Sequence, residues 1–259
     1  WRKNSNYFTK AGLATVTYEI SRKLQITAEV MRSHIRSQQP GGLTDKQIQQ
    51  DARQSFRSRN WFDIKWTTPA VSINYQINDN SKWVTKIYGT IGNRNSVGFL
   101  KPITTNDSIN KTTLQFNNRT VNLDQYRNYG LESRILTGYR IGKMKNTLSG
   151  GIRFYTGSTY RKSEGVGTTG TSYDIGVTGN YPRDIVFKSQ NIAVFAENIF
   201  RITDKLILIP GIRYEWLHGA ATGRNGYTGS GAEILLQNIQ RSRNFILAGI
   251  GAEYHLTRT

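Results

Sequence analysis

The sequence predicts an all-β chain, about nine antiparallel strands of a membrane-spanning β-barrel, and three observations carry that prediction. Glycine (25) and tyrosine (14) are plentiful and proline (5) is scarce, while Thr, Ile, Val, Tyr and Phe recur throughout, which suits strands rather than helices. Apolar and polar residues alternate in segment after segment, the period-two signature of a strand with one greasy face. Tight polar turns alternate strictly with long polar segments, as they do when short turns fall on the periplasmic end of a barrel and long loops on the extracellular end. No run of about 18 apolar residues exists, which excludes a membrane helix; a barrel strand needs only about 10 residues of alternating character.

In chain order, Gly12, Ala14, Val16, Tyr18 and Ile20 oppose Thr15, Thr17 and Glu19, and Leu24, Ile26, Ala28 and Val30 oppose Gln25, Thr27 and Glu29. From Phe62 to Ile77 the phase changes near Thr67 to Pro69, passing from Phe62, Ile64 and Trp66 to Val71, Ile73 and Tyr75. Proline and a phase slip are both tolerated at a β-bulge, which is the expectation there. Tyr129, Leu131, Ile135, Tyr139 and Ile141 oppose Glu132, Arg134 and Arg140, and Leu148, Ile152 and Phe154 oppose Ser149 and Arg153. The clearest strand sets Leu206, Leu208, Pro210, Ile212, Tyr214 and Trp216 against Gly211, Arg213 and Glu215. The last sets Ile246, Ala248, Ile250, Ala252, Tyr254 and Leu256 against Gly249, Gly251, Glu253 and His255. Tyr18, Trp66, Trp83, Tyr139, Tyr214, Trp216 and Tyr254 fall toward strand ends on the apolar parity, as interfacial girdles require.

Four connections are tight: Ser21 to Lys23, Asn78 to Ser81, Gly142 to Lys145 and Thr203 to Lys205. They recur at a spacing of roughly 60 residues, one hairpin plus one loop rather than a solenoid repeat. Between them lie long polar segments over 38–59, 100–125, 158–184 and 219–241. A compact soluble domain seldom carries several such loops, whereas an outer-membrane barrel requires them.

The net charge of +18 calls for an anionic setting, which sign alone leaves open among nucleic acid, membrane surface and ligand. With no cysteine, disulfides, thiolate metal sites and cysteine nucleophiles are excluded. His34, His218 and His255 are too far apart in sequence for metal-ligand spacing. Gly165 to Gly170 formally matches a dinucleotide fingerprint but lacks the strand–helix context that motif needs. No catalytic constellation stands out, so the expectation is not an enzyme.

The segment Asn191 to Leu206, which includes Phe195, Glu197, Asn198 and Asp204, runs on through Pro210, Gly211, Arg213 and Glu215; it resembles the barrel signature of TonB-dependent outer-membrane transporters. The loop Gln39 to Asp45 followed by Arg53 to Phe62 resembles the subgroup that takes up ferric citrate and similar ferric siderophores. The resemblance runs end to end in its hairpin rhythm. It implies that residues 1–259 are part of a barrel of about 22 strands, whose plug domain and energy-coupling box are absent from this sequence. It further implies a place in the bacterial outer membrane among lipid and lipopolysaccharide, and active uptake of a ferric chelate, ferric citrate or another siderophore, energised by a TonB complex acting on the missing plug. Iron would arrive inside its chelator, with no cofactor of the protein's own. The start at Trp1 without a basic-then-apolar leader, and the end at Thr259 without an aromatic-terminated strand, lead to the expectation of a mature or excised piece.

Under that resemblance, Arg is the residue to look for, because its planar fork pairs carboxylates bidentately. Arg36, Arg53, Arg57 and Arg59 crowd the first long loop and its flank, and Arg153 and Arg161 lie toward another strand-to-loop junction. These six are the ligand-binding candidates, and basic loops facing lipopolysaccharide phosphates or solvent are the alternative. Glu132, Arg134, Glu197, Arg201, Arg213 and Glu215 share the polar parity of their strands and are expected to form lumen-facing ion pairs. Three rivals remain: a passive porin or adhesin barrel, a soluble propeller or sandwich binding polyanions, and a nucleic-acid binder. The last wants basic residues and aromatics interleaved on one face, whereas here the aromatics keep to the apolar parity; no nucleic acid is expected.

Overall fold

The computed structural model describes residues 2–256, the side chain of Asn238 excepted, so the expectations tied to Trp1 and Thr259 lie outside it. Nine long strands run as one antiparallel meander: β1 (Tyr7–Ser21), β2 (Leu24–Gln38), β3 (Trp61–Asn78), β4 (Ser81–Gly98), β5 (Thr120–Ile141), β6 (Met144–Gly167), β8 (Arg183–Arg201), β9 (Leu206–Tyr227) and β10 (Glu233–Tyr254). The two-residue β7 (Val177–Thr178) pairs only with the loop end of β6. Among the described residues the sheet is open, with β1 and β10 at its edges.

The four predicted tight turns all fall at one end of this sheet, and the wider connections at the other. Three of the expected long loops are shorter than the sequence suggests, because β5, β6, β9 and β10 reach 22, 24, 22 and 22 residues. At about 3.3 Å per residue such strands run on the order of 70 Å, well beyond an apolar band of about 25 Å even when tilted. Past the band the ladder continues but no face has to be greasy, so the alternation that marks a strand in the sequence disappears. The segment 219–241 is thereby reduced to the turn 228–232, in which Thr228 Oγ1 accepts from the Ala232 backbone at 3.0 Å.

Antiparallel partners share a face, so the registers define rows across the sheet. One row reads Val16, Ala28, Val71, Ile87, Leu131, Phe154, Ile192 and Trp216. The next toward the turns reads Tyr18, Ile26, Ile73, Thr85, Ser133, Ile152, Val194 and Tyr214. Within this band the apolar face carries no Asp, Glu, Lys or Arg. Many of its apolar side chains stand open, with Val16 at 68% and Ile250 at 73% exposure, because no second layer covers them, although Thr85 is buried. Such a surface is stable only against lipid.

The phase change in β3 is not a bulge. Pro69 stays opposite Val30 and Thr67 opposite both Arg32 and Ile91, with no register shift between. Phe62, Ile64 and Trp66 therefore sit on the polar face, and Trp66 leaves the predicted girdle. It packs on Tyr126 with ring centroids 5.1 Å apart by crossing Gly92, where a Cβ would meet Trp66 Cε3 at 2.6 Å and the Lys65 carbonyl oxygen at 2.1 Å.

Close packing appears instead at the loop end, where Val97, Phe99, Val121 and Ile185 are buried beside Arg57, Arg59 and Arg119. The connection 39–60, expected from sequence to be a long polar loop, contains one short helix, α1 (Asp45–Gln50), held by a Thr44/Gln47 capping box. Gly41 sits there at φ +77°, with the Arg57 side chain across the place a Cβ would fill.

Candidate functional site

A concavity of about 710 Å³ opens on the polar face at the loop end, lined by Phe62, Arg94, Lys101, Asp124, Arg161 and Arg183 among others. One register row runs through it: Ile64 of β3, Arg94 of β4, Asp124 of β5, Arg161 of β6 and Ile185 of β8 are successive cross-strand partners, and the three central members line the cavity. The ladder thus delivers one carboxylate between two guanidinium groups without help from the loops.

Asp124 is buried. It accepts from Arg161 Nε at 2.7 Å and Nη2 at 3.2 Å, and from the Tyr126 hydroxyl at 3.2 Å. Burial, then the Asp124 charge, pushes the Tyr126 phenol above its ordinary value, so it remains a neutral donor in this part of β5 beyond the lipid band. Arg94 lies 4.0 Å from Asp124 Oδ2 and 4.6 Å from the centroid of the Phe62 ring. The side chains of Arg94 and Arg161 are 47% and 43% exposed. Among the described residues Arg161 Nη1 and the Arg94 fork have no hydrogen-bond acceptor, so both keep donors for an anion. Arg183 pairs with Glu164 at 2.8 Å at the rim. Four cations, Arg94, Lys101, Arg161 and Arg183, thus line the cleft against two carboxylates, Asp124 and Glu164.

The other arginines singled out in the sequence lie elsewhere. Arg59, fully buried, uses all five N–H groups: on both Asp107 oxygens, twice on the Asn117 carbonyl and once on that of Thr169. Arg57 is buried and donates to the carbonyls of Phe56, Lys101 and Pro102. Arg119 joins Arg59 from the next connection, donating to Thr168, Ser172 and the Arg59 carbonyl. Burial, with the Arg59 charge beside it, lowers its pKa from the usual arginine value. Together these arginines tie the connections 39–60, 99–119 and 168–182 into one clasp. Arg36 sits on the loop-ward extension of the apolar face, 2.7 Å from Asp63 and under the Tyr173 ring at 4.2 Å. Arg53 is exposed in its loop.

On the polar face within the band, Arg213 pairs with Glu215 at 2.5 Å, and Asn191 also donates to Glu215. Glu132 stands opposite Arg153, whose buried Nε has no partner among the described residues. Arg134 and Glu197 share this face, and Arg201 lies at the turn end of β8; among the described residues none of Glu132, Arg134, Glu197 and Arg201 has an ion-pair partner within 4.0 Å. Of the candidates, only Arg161 reaches the cleft. Arg94, Asp124 and Arg183 escaped the reading because their meeting depends on the register of several strands. The parity of Asp124 and Tyr126, at the edge of an assumed loop, was the one usable signal.

An open antiparallel wall with a lipid-facing band, long strands rising past it and a basic cleft inside defines an outer-membrane β-barrel of the receptor class. The chain belongs to the TonB dependent receptor-like β-barrel family, whose model matches residues 5–259. No curated protein matches it in sequence. Among solved structures it is similar to the ferric citrate transporter FecA in its unliganded form, at 19% identity and TM-score 0.77 over 99% of this chain and 35% of that one. It is similar also to the ferric-catecholate import receptor Fiu of E. coli K12 in its open form (14%, TM-score 0.70, 99% of this chain and 46% of that one). The siderophore receptor PiuA of Acinetobacter baumannii matches too (12%, TM-score 0.73, 99% and 41%). The chain thus spans less than half the length of these structures.

Proposed function

We propose that this chain supplies part of the wall and outer loops of an outer-membrane receptor that takes up a ferric chelate, ferric citrate or another anionic siderophore, with energy delivered through TonB. The observation that carries the reading is the row Arg94–Asp124–Arg161, which leaves guanidinium donors free in a net-positive cleft on the polar face. A planar fork in such a site pairs carboxylate oxygens bidentately, and iron enters already chelated, so no protein metal ligands are called for. The relatives' descriptions as ferric citrate, ferric-catecholate and siderophore receptors support the same substrate class. The test is calorimetry on the full-length protein in detergent with ferric citrate and with iron-free citrate. Arg94→Ala and Arg161→Ala are each expected to weaken ferric citrate binding about tenfold to a hundredfold, the worth of a charge-assisted hydrogen bond. Unchanged affinity in both variants contradicts the reading of the cleft.

A further inference from the structure

The apolar face ends at a sharp chemical border. The last row of the band reads Ala14, Val30, Pro69, Gly89, Tyr129, Thr156, Gln190 and His218. On the same face, the next row toward the loops reads Gly12, Arg32, Thr67, Ile91, Arg127, Ser158, Lys188 and Ala220, and the one beyond it begins Lys10, His34, Lys65 and Asn93. Two rows thus carry five Lys or Arg and no carboxylate. All five are exposed. Among the described residues Lys10, Arg32, Arg127 and Lys188 have no carboxylate within 4.0 Å, and Lys65 reaches Asp63 only at 3.9 Å. On the polar face, by contrast, Arg161 pairs with Asp124 and Arg213 with Glu215.

We propose that this belt is a binding surface for the phosphate-bearing headgroups of lipids in the leaflet at the loop end, with Arg127, Ser158 and Lys188 as one contiguous subsite and Arg32 with Lys10 and Lys65 as a second. The commitment to lipid rests on continuity. The cations sit on the same strands and the same face as the lipid-facing band, one residue pair above it, where a headgroup lies when its acyl chains cover the band. A soluble phosphate gains nothing from that adjacency. Each basic residue at such a surface is worth about fivefold in lipid binding, so removing three costs on the order of a hundredfold. The proposal depends on the membrane placement of the band and is independent of which chelate the cleft takes.

The test purifies the full-length receptor in mild detergent, adds diphosphorylated lipid A or its dephosphorylated form, and measures bound lipid by native mass spectrometry. The expected result is binding of the phosphorylated form only, not displaced by millimolar inorganic phosphate, and weakened on the order of a hundredfold in Arg32→Ala/Arg127→Ala/Lys188→Ala. Equal binding of the two lipids, displacement by free phosphate, or an unchanged triple variant overturns it. The lipid comparison on the unaltered protein decides the matter even where the triple variant fails to fold. Ferric citrate affinity, measured alongside, separates failure of the belt from failure of the cleft.

Discussion

The turn half and the loop half of the same strands obey opposite rules. Near the turns, the sheet is a single layer whose greasy side is bare, and its order comes from the ladder and from lipid. Near the loops, the strands leave the lipid and are packed as in a water-soluble protein, yet the largest fully buried side chains there are arginines: Arg59 and Arg119. An extracellular clasp with few apolar residues excludes water by satisfying every polar group instead. This works only while the hydrogen-bond account is complete.

That contrast can be broken at either end. The largest effect is expected for Arg59→Ala, which leaves Asp107 and two carbonyls buried without donors. Breaking a buried pair from one side costs about 3–5 kcal/mol, seen as rapid amide exchange and proteolysis confined to 39–60, 99–119 and 168–182, with the strands near the turns unaffected. Next is a charge in the band: Ile192→Arg is expected to destabilise folding into bilayers by about 2–4 kcal/mol in urea titrations. Leu236, in the part of β10 beyond the band, is expected to tolerate the same change.

A smaller effect attends Asp63, in the part of β3 beyond the lipid. Burial works to raise its pKa, but hydrogen bonds from His34 and Arg36, and their charge, outweigh it and hold the carboxyl below its usual 3.8. A lowered folded value means the stabilisation is full above the unfolded pKa and is lost as pH falls through the folded one. Protection from exchange in 168–182, where Tyr173 stacks on Arg36, is therefore expected, after correction for the intrinsic pH dependence of amide exchange, to hold steady from neutrality to about pH 5 and to fall only below about pH 4. The smallest is Thr44→Ala, which removes a capping box at a cost of about 1 kcal/mol and frays α1 alone; helical amide exchange measures it.

What the sequence made legible follows the same division. Strand number, turn positions and the lipid-facing residues were readable because lipid imposes a period-two pattern on every strand it touches. Trp66 was misplaced because its segment had already left the lipid, so alternation no longer reported the face. The rise of β5 and β6 was hidden for the same reason. The Thr44-x-x-Gln47 cap is a local signal legible in the sequence. The cleft was not readable, since Arg94, Asp124 and Arg161 meet only through three registers, and Arg59 looks like any loop arginine until Asp107, 48 residues away, is placed against it.

The most direct test of the inside-out wall is depth-dependent fluorescence quenching by brominated lipids in the full-length protein, with Trp66, Trp83 and Trp216 kept in turn as the sole tryptophan. Trp83 and Trp216, on the apolar face, are predicted to be quenched, and Trp66, on the polar face against Tyr126, to be unaffected. Quenching of Trp66 as strong as that of the other two would contradict the assignment of faces on which the wall, the belt and the cleft all depend.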